Sequence, residues 1–217
     1  MKVLSAVLIA TAIMTTAAQA QFARTGDCLN NPDIDKQIEA CTTVIDVMQD
    51  VAQKGMPLPV SNRQLAVFYE RRGSALMLKG ETTRARPDLD KAIEIFPQLA
   101  SVYLNDGMAE FNDEKFADAI THLTRAINLN RNVPLGTVYM VRGFARMQSG
   151  QLRDARFDLD KAIAIDDKLV EAFVGLGMLA ERLDDPAGAI IDYRAALFVD
   201  PKNEASRNAL IRLGVTP

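Results

Sequence analysis

Residues 66–99 read AVFYERRGSALMLKGETTRARPDLDKAIEIFPQL, and residues 136–169 read GTVYMVRGFARMQSGQLRDARFDLDKAIAIDDKL. The segments RARPDLDKAI and DARFDLDKAI within them are near duplicates. The same register extends to both sides. Glycines fall at Gly73, Gly107, Gly143 and Gly177. Alanines fall at Ala85, Ala119, Ala155 and Ala189, and again at Ala92, Ala126, Ala162 and Ala196. Aromatics fall at Tyr69, Tyr103, Tyr139 and Phe173. A period near 34 residues shared by several residue types denotes a helical hairpin copied four times, over 66–99, 100–133, 136–169 and 170–203. Hairpins of this kind stack into an extended array whose concave surface binds other proteins.

Each repeat splits into two helices. In the first, helix A covers Asn62 to Lys79 and Gly80 breaks it. Helix B runs to Phe96, where Pro97 blocks continuation. Gly150 marks the same break in the third repeat, and Pro201 the same stop in the fourth. Gly73 and its equivalents sit where helix B must come close to helix A, and Ala85 and Ala92 face back from helix B. Leu89, Leu123, Leu159 and Tyr193 then fill the gap between repeats. Ile93, Ile127, Ile163 and Leu197 continue that seam. Pro87 lacks a backbone donor inside helix B, which predicts a kink or an irregular first turn.

Upstream, Ile34, Ile38, Cys41, Ile45, Met48 and Ala52 are spaced 4, 3, 4, 3 and 4 residues apart, a helical stripe. Asn31 or Asp33 can cap its start and Gly55 can end it. Gly55, Pro57 and Pro59 mark a linker, so residues 21–61 form a truncated repeat plus linker. Downstream, Ala205, Ala209, Leu210 and Leu213 predict a terminal helix covering the last repeat within 204–217, ended by Gly214.

Residues 1–20 read as a secretory signal peptide. Lys2 precedes an apolar run from Val3 to Met14, and Ala18-Gln19-Ala20 is a small-x-small cleavage site. Thr25-Gly26-Asp27 before Cys28 lacks the pattern of a lipid-acceptor signal. The mature chain is therefore expected to start at Gln21, in the periplasm or medium, without stable membrane insertion. A net charge of −3 with mixed signs argues against nucleic acid as a partner.

These repeats resemble the tetratricopeptide repeat (TPR) family. Tyr69, Gly73, Ala85, Ala92 and Pro97 match its motif in the first repeat, and Phe173, Gly177, Ala189, Ala196 and Pro201 in the fourth. Arg131 and Asp167 replace the proline in the middle two. Arg72-Gly73 and Arg142-Gly143 look like a bacterial variant of the glycine step. The resemblance implies an all-α, right-handed helical-hairpin solenoid with a capping helix at its C-terminal end. It implies a protein or peptide partner and no cofactor.

The segment CLNNPDIDKQIEACTTVI, from Cys28 to Ile45, resembles the start of secreted bacterial members that carry a cysteine pair. In a complete repeat the positions of Cys28 and Cys41 face each other across the hairpin, which implies a disulfide. The alternative, a metal or redox site, lacks a histidine partner and a CxxC motif.

In this family the second, fifth, ninth, twelfth and thirteenth positions of helix A line the concave face. Carried onto this chain, they imply a peptide groove built from Leu104, Met108, Phe111, Met140, Phe144, Met147 and Met178. Methionine-rich surfaces adapt to varied apolar ligands. The competing reading is that these side chains pack against the neighbouring helix A as core, and thioether copper binding is a third. The family's clamp for C-terminal carboxylates would need basic and amide groups where this chain has Glu70, Ser74, Asn105, Thr137 and Val141, and only Asn105 fits. His122, the single histidine, precedes the core position Leu123 and is expected to face outward. No nucleophile, phosphate loop or metal-ligand cluster accompanies it, so no enzyme activity is expected.

Overall fold

The computed structural model describes residues 24–129 and 133–217. The signal-peptide reading of residues 1–20 lies outside them. The described residues form helices and no strand. α1 is described over 24–30. It is followed by α2 (Ile34–Gln53), α3 (Asn62–Leu78), α4 (Thr82–Ile95), α5 (Ala100–Asn112) and α6 (Phe116–Leu129). Then come α7 (Leu135–Gln148), α8 (Leu152–Ile165), α9 (Val170–Arg182), α10 (Pro186–Val199) and α11 (Glu204–Arg212). The chain divides into two compact units, one ending at Val102 and the other running Tyr103–Pro217.

In the first unit, Asp33 caps α2 by accepting from the backbone N–H groups of Asp35 and Lys36. Ser61 and Gln64 form a reciprocal capping box at the start of α3. Cys28 and Cys41 lie at bonding distance, their sulfurs 2.08 Å apart, and both are fully buried. Around them Val44, Ile45, Met48, Phe68 and Tyr69 make one core. α3 and α4 pack so closely that a Cβ at Gly73 would come within 2.9 Å of Leu89. α4 continues through Pro87, whose side is exposed, and its first turn has no side-chain cap.

The second unit repeats the hairpin three times and ends in α11. A Cβ at Gly107 would meet Leu123 at 2.6 Å, and one at Gly177 would meet the Tyr193 ring at 2.6 Å. Leu159 is the clearest case of a filler between repeats. It lies within 3.0 Å of a Cβ built at Gly143 in its own hairpin and at Gly175 in the next. Asn203 caps the start of α11, its side chain accepting from the Ser206 N–H. The helix buries Ala209 and Leu210 against α10.

The turns between paired helices show a regularity that the glycines only half reveal. Gly80 and Gly150 take φ of +78° and +75°. At the matching places in the other repeats, Glu114 and Asp184 take φ of 60° and 59°. All four turns close with the same bond, from the N–H of the next residue to a carbonyl five back: Glu81 to Leu76, Lys115 to Glu110, Gln151 to Arg146 and Asp185 to Ala180. That bond satisfies an orphan helix carbonyl and offsets the ~1–2 kcal/mol that a side chain costs in the left-handed region.

A charged pair inside two hairpins accounts for the Arg-Gly steps. Arg72 donates to both carboxylate oxygens of Asp88, at 2.7 Å each. Arg142 does the same to Asp158, at 2.8 and 2.7 Å. Each arginine also reaches a threonine on the helix before it, Thr42 or Thr124, and lies over an aromatic ring three residues earlier, Tyr69 or Tyr139. By accepting these bonds, Asp88 holds the Arg72 pKa above its ordinary value. The repeated arrangement explains the duplicated DLDKAI segments, because Asp88 and Asp158 are their first aspartates.

Candidate peptide-binding groove

Within the second unit, α5, α7, α9 and α11 together enclose a groove of about 350 Å³. α5 contributes Met108, Phe111 and Asn112; α7 contributes Met140, Val141 and Phe144. α9 adds Glu171 and Val174, and the last helix brings Asn203 and Ala205. Phe111, Met140 and Phe144 are half-buried, and Met108 is 38% exposed. The Phe144 ring edge lies against α9 at Gly175, where a Cβ would stand 3.0 Å from it. A glycine there lets the edge of a large ring come close to the neighbouring helix.

The seven residues expected from the repeat positions do not all belong to this surface. Met147 is fully buried, clustered with Leu159, Leu176 and Leu179, and Leu104 is only 7% exposed. These two are core, because at their heights on α5 and α7 neighbouring helices close over them. Met178 is 38% exposed and lies one turn beyond Val174 on α9. Met108, Phe111, Met140 and Phe144 line the groove together.

The lining also contains residues the sequence reading passed over. Glu171 and Asn112 occupy the second and thirteenth repeat positions, both concave positions of the family, so the signal was present. Asn203 and Ala205 come from the end of the last repeat and from the cap, where the repeat pattern no longer assigns a face.

His122 does not face outward. Its Nδ1 lies 2.8 Å from Glu110 Oε2, and its ring centroid is 6.0 Å from that of Tyr103. It stands at the helix B position held by Asp88 and Asp158 in the adjoining repeats, and links its hairpin as they do. On α9, Glu181 is engaged by the Tyr193 hydroxyl and by Arg212. Burial, reinforced by the Glu181 carboxylate, pushes the Tyr193 phenol above its ordinary pKa. Among the described residues no cluster of acidic, histidine or cysteine side chains could hold a metal ion. A second, larger cavity of about 760 Å³ lies in the first unit between Leu29, Met48, Val60 and Phe68. Its floor is the core of that unit, and it adjoins Thr25, next to the first described residue.

Family models described as tetratricopeptide repeat match residues 66–99 and 140–205. A solved TPR domain of Arabidopsis OM64 is 30% identical, with a TM-score of 0.50, covering 53% of this chain and 93% of that one. The chain belongs to the tetratricopeptide repeat family. Its fold is that of other TPR solenoids: MamA from Desulfovibrio magneticus RS-1 aligns over 86% of this chain and 97% of its own, with a TM-score of 0.67 at 16% identity. Among curated relatives, the Hsp70-Hsp90 organizing protein of Triticum aestivum is 25% identical over 151 residues, which is 70% of this chain and 26% of that protein. The CTR9 homolog of Arabidopsis thaliana is 28% identical over 117 residues, 54% of this chain and 11% of that protein. The chain thus spans about a quarter or less of these relatives' lengths. The repeats make it a protein–protein interaction module.

Proposed function

We propose that this TPR protein is an exported interaction module, or scaffold, of the bacterial cell envelope, and that its groove holds a peptide or helix with apolar anchors. The observation that carries this reading is the contiguous strip of Met108, Phe111, Met140 and Phe144. The four are partly exposed side chains on two helices that line one groove. Such a strip binds by burying area, at roughly 25 cal/mol per Å² before ordering costs are subtracted. Replacing Met108 and Phe144 together with glutamate puts charge into the strip. Capture of the partner by crosslinking is expected to fall, with helicity by circular dichroism near wild type. A folded double variant that captures every partner as before would exclude the groove. Loss of helicity would make these two residues core.

Two features support export: the Lys2-to-Ala20 signal pattern and the buried Cys28–Cys41 pair at bonding distance, which suits an oxidising compartment. Among the described residues no helix is long and apolar enough to cross a membrane. Mass measurement of the exported protein should find Gln21 at its start; a retained Met1 or an acylated N-terminus overturns this.

A second reading is a non-catalytic subunit or accessory of an envelope assembly complex, docking through the outer helices. It is favoured by α10, where Phe198 and Ile191 are 90% and 68% exposed on one side. Capture lost on replacing these two with aspartate, but kept in the groove variant, would select it.

A further inference from the structure

We infer that the groove selects extended peptides that pair an apolar anchor with a lysine or arginine roughly three residues away. This rests on the groove being the binding site, and it adds the chemistry of the ligand.

The described lining is apolar apart from Asn112, Asn203 and Glu171, and contains no lysine or arginine. Glu171 is therefore its single charge. It is exposed, it lies in the first turn of α9, and it makes no hydrogen bond or ion pair with another described residue. Glu181, farther along the same helix, is already engaged by Tyr193 and Arg212. The carboxylate left over beside the apolar strip is thus Glu171, and it would attract a cation and repel an anion on a bound chain. The family's clamp for C-terminal carboxylates has the opposite polarity.

Spacing follows from the helices. Met140 and Phe144 are on α7 and Glu171 is on its neighbour α9, and packed helices lie roughly 8–10 Å apart. An extended chain advances about 3.3 Å per residue, so roughly three residues separate an anchor seated over α7 from a cation over Glu171. Asn112 and Asn203 favour the extended form. The Asn112 amide and the Asn203 NH2, whose carbonyl already accepts from the Ser206 N–H, can hydrogen-bond a ligand backbone, whereas a helical ligand would keep its backbone groups to itself.

The test is selection of a phage-displayed library of random dodecapeptides on the immobilised full chain. Four forms are compared: wild type, Glu171→Gln, Glu171→Lys, and the Met108→Glu/Phe144→Glu double variant. Wild type should enrich lysine or arginine at the third residue from an apolar anchor by roughly two- to fivefold over the unselected library, as expected for an exposed pair. That bias should vanish with Glu171→Gln, turn toward acidic residues with Glu171→Lys, and fade at roughly 0.5 M salt. Apolar motifs without a basic bias in wild type, or a bias that persists in Glu171→Gln, would overturn the inference and leave the groove reading intact. Selection by the double variant of the same peptides as wild type would overturn both.

Discussion

Replacing Asp158 with alanine is expected to cost about 3–5 kcal/mol of stability. Asp158 is fully buried and accepts three charged hydrogen bonds, two from Arg142 and one at 2.8 Å from Arg146. Removing it strands the Arg142 guanidinium, whose side chain is only 9% exposed, in a space closed by α7 and α8. Arg146 is less confined, at 18% exposed, and can turn toward water. The equivalent change at Asp88 should cost less, because Arg72 is 19% exposed and recovers solvent more easily. Urea denaturation followed by circular dichroism gives both numbers. A loss under about 1 kcal/mol for Asp158→Ala would mean the pair is better solvated than its burial indicates. A companion variant, Arg142→Met with Asp158→Leu, should recover much of the loss, because an apolar pair does not have to be desolvated.

Breaking the Cys28–Cys41 link, by reduction or by replacing both cysteines with alanine, is expected to cost about 3 kcal/mol in the chain-entropy account of a loop this short. The two residues are 13 apart in sequence and join α1 to α2. The link is a covalent tie between these two helices. Besides that bond, α1 is held by contacts that include Leu29 against the core, the bond from the Gln37 side chain to the Cys28 carbonyl and the bond from the Arg24 guanidinium to the Thr43 hydroxyl. Hydrogen exchange should therefore rise first in α1 and the start of α2, with the α7–α8 hairpin unaffected. Unchanged stability on reduction, or two free thiols in protein taken from an oxidising compartment, would refute the staple.

Much of this architecture can be read along the chain. The 34-residue spacing of Gly73, Gly107 and their equivalents marks places where two backbones approach, and the contacts of Leu89, Leu123, Leu159 and Tyr193 at those glycines show why. Several helix ends were legible: Asp33, Gly80, Gly150 and Gly214 all stand at caps or turns, whereas the capping box of Ser61 and Gln64 and the caps at Asp185 and Asn203 were not read. The turns at Glu114 and Asp184 were not, because the bond that holds a side chain in the left-handed region is made by backbone and leaves no residue signature.

For the candidate site, repeat position determined which side of helix A each residue occupies, and this was enough to assemble Met108, Phe111, Met140 and Phe144. It did not determine depth. Phe111 and Met147 share the twelfth position, yet one is half-buried in the groove and the other fully buried among Leu159, Leu176 and Leu179. A helix fixes the direction of a side chain to within its own turn, but exposure depends on how far the neighbouring helix stands off, which side chains on another repeat decide. His122 makes the same point: its sequence position beside Leu123 suggested solvent, and the approach of Glu110 from α5 turned it into a contact between helices. Periodicity, caps and the small-residue seam belong to the sequence because they are local. Charge pairing arises only when the two helices of a hairpin close on each other, and burial and the lining of the groove only when separate hairpins do.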